Sequence, residues 1–275
     1  MIRETSTSSA WVRVFVDSYN KRLRVDDYSG PLNEVIFLIT TQIEPWVEKL
    51  ILKSRDTDVN YFLDNGFRQE AVINGYFAGI NMAFLVRYLS NDRKASALDE
   101  SEEDTLKKVL QLPRPAFHPD PTGIVQAGPE DANRLAELYA SVMKIYPTPI
   151  YDPNFVLQTM RDGTLYVYLE EDGKIVSAAS AEPNMEWKNA ELTDCATLPQ
   201  AQGKGKMQQL LYFLEQTLKA KGLICAYTIA RAQSFGMNKA FHQLGYHYGG
   251  RMTNNCYIYS GLEDMNVWYK LITDY

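Results

Sequence analysis

Cysteine and histidine are both scarce, with three of each among 275 residues. The cysteines at 195, 225 and 256 are odd in number and widely spaced, which argues against a disulfide framework or a zinc knuckle. They suit reduced thiols in a cytosol, and no metal is expected. Positive charge is not in excess either. Lys and Arg total 28 against 34 Asp and Glu, a net charge of −6, so neither nucleic acid nor an anionic membrane is expected as a partner. No apolar run approaches the roughly 20 residues of a bilayer span; Val35-Ile36-Phe37-Leu38-Ile39 is soon followed by Glu44. The opening Met1-Ile2-Arg3-Glu4-Thr5-Ser6-Thr7 has no apolar signal core, and a cytoplasmic location is expected. What remains is 45% hydrophobic and 23% charged residues, the composition of a folded globular chain. The length allows one large domain or two modest ones.

Residues 91–120 divide the chain. Prolines at 113, 115, 119 and 121 and an acidic patch from Asp99 to Asp104 read as a linker, with room for a short helix over 101–111. Before it, alternation predicts a hairpin, Trp11–Asp17 and Lys21–Tyr28. A helix near 31–44, a strand Val47–Lys53, a short helix near 56–65 and strands Phe67–Phe77 and Ile80–Leu89 follow. After the linker, a strand near 123–127 leads to a helix through Ile145, with apolar positions at 135, 138, 142 and 145. Strands are predicted at 164–169, 174–182 and 187–198, then a helix over 204–221 that stops at Gly222. A strand at 223–231, a helix at 235–244 and strands at 246–253 and 264–271 complete the chain. Phe62-Leu63-Asp64-Asn65-Gly66-Phe67 parallels Phe241-His242-Gln243-Leu244-Gly245-Tyr246, each before a strand pair. Either the first segment is a degenerate partial copy of the second, or a common helix–glycine–strand unit occurs twice by coincidence.

The chemistry concentrates where the strand Glu191-Leu192-Thr193-Asp194-Cys195-Ala196-Thr197 runs through Gln200-Ala201-Gln202-Gly203-Lys204-Gly205-Lys206 into a helix. The first turn of a helix leaves N–H groups unpaired at the positive end of its dipole. Glycines at 203 and 205 let a phosphate approach the backbone, and Lys204 and Lys206 add charge, so the turn reads as a pyrophosphate cradle. The bland alternative is a solvated helix start. The spacing matches neither a Walker loop nor the dinucleotide fingerprint, whose third glycine would fall at Gln208.

The pattern Gln-x-x-Gly-x-Gly over Gln200–Gly205 resembles the coenzyme A pyrophosphate motif of the GNAT superfamily of N-acetyltransferases. Several further segments narrow the resemblance to the β-lysine N-acetyltransferases: Thr193–Pro199, Ala230–Asn238, Leu244–Gly250, Asn254–Cys256 and Gly261–Lys270. It implies an α+β GNAT fold over 121–275, preceded by a partial, non-catalytic GNAT-like module over 10–90. That module lacks the motif and would cover the acceptor side or form a homodimer interface. It also implies transfer from acetyl-CoA to the ε-amine of β-lysine, a small-molecule amine, yielding an osmolyte. Another small-amine acetyltransferase, or a non-catalytic acyl-CoA sensor, stays open beside it.

The resemblance further implies residue roles. Glu191 stands where several GNAT enzymes carry a general base, and alternation puts it on the face of Thr193, Cys195 and Thr197 unless a bulge intervenes. A water-facing edge carboxylate is the other reading. Asp194 is the rival base or the holder of a substrate ammonium. The backbone of Cys195, Ala196 and Thr197 would clamp the pantetheine arm. Gln200, Gln202, Gly203, Lys204, Gly205 and Lys206 would hold the pyrophosphate, and Ser234 takes the family's asparagine position on the cofactor side. Phe241 stands where many GNAT enzymes place a tyrosine acid, with Tyr227, His242, Tyr246 and Tyr248 as substitutes. Tyr146, Arg231, Asn255, Glu263 and Asp264 are the candidate acceptor-binding groups, Arg231 for the carboxylate. Each is equally readable as a packing or solvated residue.

Overall fold

A computed structural model of the protein describes residues 1–114, 120–143, 146, 148–258 and 261–273. The first half forms β1 (Ile2–Ser6), β2 (Trp11–Asp17), β3 (Arg22–Ser29), α1 (Leu32–Thr41), β4 (Lys49–Arg55), α2 (Val59–Asp64), β5 (Arg68–Phe77) and β6 (Ile80–Tyr88). After α3 (Asp99–Leu110) come β7 (Ile124–Gln126), α4 (Ala132–Val142), α5 (Pro153–Arg161), β8 (Leu165–Glu171), β9 (Lys174–Asn184) and β10 (Asn189–Thr197). The chain closes with α6 (Lys206–Ala220), β11 (Cys225–Arg231), α7 (Phe235–Gln243), β12 (His247–Ile258) and β13 (Gly261–Leu271). All the strands join one mixed sheet, in the order β1-β2-β3-β4-β6-β5-β12-β13-β11-β10-β9-β8-β7.

Most elements lie where periodicity places them. The helix expected to reach Ile145 ends at Val142, and residues 144 and 145 lie outside the described set. The residue pattern gave no sign of β1, a polar edge strand, because its side chains alternate only between exposed and half-buried. It also missed α5, which Asp152 caps by accepting from the Asn154 N–H at 2.9 Å, with Pro153 in the first turn. The terminal hairpin is longer than expected because a bulge between Met252 and Cys256 lets β12 continue past residue 253.

The two halves of the sheet repeat one another in register. Parallel pairing sets Arg22 beside Lys49 in β3–β4 and Asn189 beside Cys225 in β10–β11. Antiparallel pairing then runs from Lys49–Tyr88 to Arg55–Met82 in one half, and from Cys225–Leu271 to Arg231–Met265 in the other. β5 shifts register against β6 between Ile73 and Phe77, as β12 does against β13 between Met252 and Cys256. Gly75 and Asn254, at matching points of these bulges, both have positive φ, 75° and 44°. The halves join where Ala71 pairs with Gly250, themselves matching positions. A Cβ on Gly250 would lie 2.3 Å from the Glu70 carbonyl oxygen, so this close strand approach needs glycine.

Helices cover the outer faces: α1 lies over the first half, and α6, α7 and α3 over the second. The inner faces pack on each other, bringing Ile51, Tyr76 and Phe84 against Tyr227, Met252 and Val267. The start of the 91–120 segment, through α3, is anchored, because Leu106 and Val109, three apart on α3, enter the core beneath α6 and α7. At its start, the fully buried Arg93 donates to the carbonyls of Asn254 (2.6 Å) and Asn20 and pairs with Glu48 at 2.9 Å. It thereby ties the β12 bulge to the first half.

Replacing Arg93 with Met leaves the buried carbonyls of Asn254 and Asn20 without their donor, while Glu48 keeps Lys21 at 2.8 Å. The expected loss is about 2 kcal/mol or more, the cost of two buried acceptors left unpaired. Urea unfolding should show both halves destabilised in one transition, with an unchanged slope against urea.

Candidate functional site

Strands β10 and β11 pair only from Asn189–Cys225 to Glu191–Tyr227 and then diverge. The β11-facing edge of β10 therefore presents backbone groups with no strand partner beyond Glu191. On its other edge, β10 shifts register against β9 between Thr193 and Ala196, and Asp194 within this bulge has a φ of 47°. The bulge corrects the expected alternation. Cys195 packs with Ala190 and Leu192 on the α6 side, and Ala196 on the α4–α5 side, so Glu191 and Cys195 do not share a face.

Two adjoining cavities open at this parting, sharing Val142, Cys195, Gln202, Ser234 and Met237. The first, about 460 Å³, lies at the start of α6. Of the expected cofactor residues, Cys195, Thr197, Gln202, Gly203, Gly205, Lys206 and Ser234 line it. Gln200 and Lys204 are exposed and off its wall, and the Ala196 side chain is buried in the core. Lys206 is not a free cation but pairs with Glu171 at 2.8 Å. Lys239, Gln208 and Gln243, which sequence reasoning missed, join the lining because α7 packs beside α6.

This wall fits an elongated anionic ligand. Gly203 and Gly205 have φ of 77° and 72°, and a Cβ on Gly203 would project into open space. No side chain caps α6, whose first intrahelical bond from this turn runs from Gln209 N–H to the Gly205 carbonyl. Its earlier N–H groups remain available at the positive end of the helix.

The second cavity, about 380 Å³, is lined by Thr193, Asp194, Tyr146 and Arg231 among apolar residues including Met143, Ile229, Ile258 and Met265. Asp194 is buried and accepts from the Ser180 hydroxyl at 2.6 Å. Burial raises its pKa despite the hydroxyls of Ser180 and Tyr146, which favour the charged form. Burial, then the Asp194 charge, hold Cys195 above the usual thiol range, so the neutral thiol is favoured over a nucleophilic thiolate.

Several expected site residues lie elsewhere. Glu191 is on neither cavity wall; its carboxylate meets the Tyr227 hydroxyl, and burial raises its pKa. Glu263 is buried beneath the second cavity, where both its oxygens accept from Arg231, at 2.5 and 2.7 Å. Asn255 and Asp264 are buried at the β12 bulge. The Asn255 carbonyl accepts from Arg22, and the Asp264 carboxylate accepts the Asn254 N–H at 2.7 Å. The joint to the first half is made by the Asn255 backbone, and the Asp264 carboxylate holds the turn of the bulge itself. Phe241 packs edge-on against Tyr246 in the core, and none of Tyr227, His242, Tyr246 and Tyr248 lines either cavity.

Among the described residues, no group of three or more His, Cys, Asp or Glu is arranged to hold a metal, and no helix is long and apolar enough to cross a membrane. The profile of the Acetyltransferase (GNAT) family matches residues 133–246. The chain is 33% identical over 274 residues to N-acetyltransferase YodP of Bacillus subtilis, covering 98% of this chain and 99% of that one. It is 36% identical over 259 residues to the beta-lysine N(6)-acetyltransferase of Methanococcus maripaludis, covering 93% and 94%. The enzyme of that name from Methanosarcina mazei is 35% identical over 230 residues, covering 75% of this chain and 85% of that one. Likeness sustained over nearly the whole length, on a sheet parted beside an uncapped helix start, makes this chain an N-acetyltransferase of the GNAT family.

Proposed function

We propose that the protein transfers the acetyl group of acetyl-CoA to the ε-amine of β-lysine, in the cytoplasm, yielding a neutralised osmolyte. The observation that carries this reading is the continuity of the two cavities at Cys195, which joins an anion-binding helix start to a buried carboxylate. The names of the Methanococcus and Methanosarcina relatives support the choice of acceptor. Residues 121–275 then form the catalytic GNAT domain, and 10–90 a non-catalytic GNAT-like module joined to it by 91–120.

Acetyl-CoA supplies an activated thioester carbonyl. The N–H groups at the start of α6, with Gly203 and Gly205, bind its pyrophosphate, and the unpaired edge of β10 over 195–197 orients the arm. Asp194 takes the proton of the attacking amine. A free ε-ammonium has a pKa near 10.4, so at neutral pH the nucleophile must be deprotonated on the enzyme. The raised pKa of Asp194 suits it to that task. Phe241 offers no acid to the leaving sulfur, and a thiol of pKa near 8.5 departs without one.

Side-by-side rates with β-lysine, lysine and putrescine test the acceptor. β-Lysine should give the highest kcat/KM, and a higher value for putrescine would reject this reading in favour of a diamine acetyltransferase. CoA binding without turnover of any amine would identify a sensor.

Replacing Gly203 and Gly205 together by Val should abolish acetyl-CoA binding in calorimetry. The side chains enter the space of the pyrophosphate and strain two positive φ values.

Asp194→Asn should lower turnover at pH 7 by about 10²–10⁴-fold, with little change in acetyl-CoA affinity. The base works only when charged, so the wild-type rate climbs as pH rises through the elevated Asp194 pKa. The deficit of the variant shrinks as pH nears that of the amine, which then deprotonates unaided. Glu191→Gln should cost less, since Glu191 is off both cavity walls; the reverse order in a pH–rate comparison would make Glu191 the base.

A further inference from the structure

The inner face shared by the two halves carries charge as well as apolar side chains. Arg24 lies beside Ile51 in the β3–β4 register, and Lys53 is two residues further along β4, so both share the face on which Ile51 packs. Glu191 lies beside Tyr227, which packs on that same inner face, and is paired across β9–β10 with Glu182. The register repeat makes Arg24 the counterpart of Glu191, since Arg22 matches Asn189. Two strands far apart in sheet order thus present their matching residues to one cleft.

Each wall of the cleft is out of balance. Asp26 serves two cations, Arg24 at 2.6 Å and Lys53 at 2.9 Å, leaving one positive charge over. Arg24 spends Nε and Nη2 on Asp26, and Lys53 also donates to the Tyr76 hydroxyl at 3.0 Å. Opposite, Glu182 and Glu191 have no ion-pair partner among the described residues. The walls attract one another, since Arg24 and Lys53 favour the charged forms of both acids, yet no ion pair closes between them. Glu182 is exposed and the Arg24 side chain is 34% exposed, so the cleft is reached by solvent. Arg231, by contrast, has its charge matched by Glu263.

Asp194 stands three residues beyond Glu191 on β10, about 10 Å at ~3.3 Å per residue and less across the bulge. An extended diamino acid spans that interval. We propose that Arg24 binds the carboxylate of the acceptor and that Glu182 and Glu191 bind its non-reacting ammonium. The first half of the chain thereby selects amino acids over simple diamines. This deepens the acceptor reading above and rests on it.

The probes are β-lysine and 1,4-diaminopentane, the same molecule without its carboxylate. In Arg24→Gln the kcat/KM preference for β-lysine over the diamine should fall about 10- to 100-fold, as for a lost charge-assisted hydrogen bond, and through KM more than kcat. Glu182→Gln should raise KM for both acceptors and leave the ratio in place, because both carry the second ammonium. If Arg24→Gln does not fold, Arg24→Lys, which keeps a cation beside Asp26, should show a smaller fall in the same ratio. Equal losses on both acceptors, with acetyl-CoA affinity intact, would overturn the proposal by making Arg24 structural. A wild-type enzyme indifferent to the carboxylate would overturn it too. If L-lysine proves the better acceptor, the choice of β-lysine fails separately; a fall in the lysine-to-cadaverine ratio in Arg24→Gln then still supports the role of Arg24.

Discussion

Strand β10 has to part from β11 while staying bound to β9, and the site is arranged around that parting. Parallel pairing ends at Glu191–Tyr227, whereas pairing with β9 resumes at Ala196 after the bulge. Unbroken alternation would send Asp194 to the face of Ala190 and Leu192, under the leucines of α6. A carboxylate left there without a partner costs more than a non-glycine residue at positive φ, which is roughly 1–2 kcal/mol. The bulge accepts the smaller penalty. Asp194 instead meets the Ser180 hydroxyl and the wall of a cavity, and the unpaired edge of β10 leads from there to the start of α6.

A second bulge does structural work of the same kind in β12. There the backbone turns at Asn254, and its carbonyls face the first half of the chain, where Arg22, Lys49 and Arg93 donate to Asn255, Thr253 and Asn254. The matching bulge in β5 turns at Gly75. One scaffold used twice serves different ends. In the second half its parted strands open onto two adjoining cavities; in the first they carry Arg24, Asp26 and Lys53 on the inner face. These charges persist at the junction because they are paired within their own wall. Asp26 offsets the burial of Arg24 and Lys53 by pairing with both, and Glu182 reaches solvent.

Much of this was legible in the residues. Helix and strand periods placed most of the elements, and Gln200–Gly205 marked the uncapped turn at the mouth of the first cavity because glycine spacing and a following amphipathic helix are local properties. The echo between Phe62–Phe67 and Phe241–Tyr246 is matched by Phe62 and Phe241 both being fully buried and Gly66 and Gly245 both having positive φ, 83° and 85°. The acceptor side was much less legible. Asn255 and Asp264 had the polarity of substrate ligands, but the β12 bulge buries both side chains away from the cavities, and Asp264 holds the turn at Asn254.

The sequence by itself determined the family and marked the uncapped helix start and the strand that lines the cavities, because each depends on neighbours a few residues apart. Only the tertiary structure decided which carboxylate reaches the cavity, that α4, α7, β12 and β13 complete its walls, and that Arg24 shares a cleft with Glu191. A register shift flips faces without altering the pattern along the chain, and the bond from Arg22 to the Asn255 carbonyl joins residues 233 positions apart. Contacts of that separation are set by how the two halves of one sheet pack face to face, which no local periodicity records.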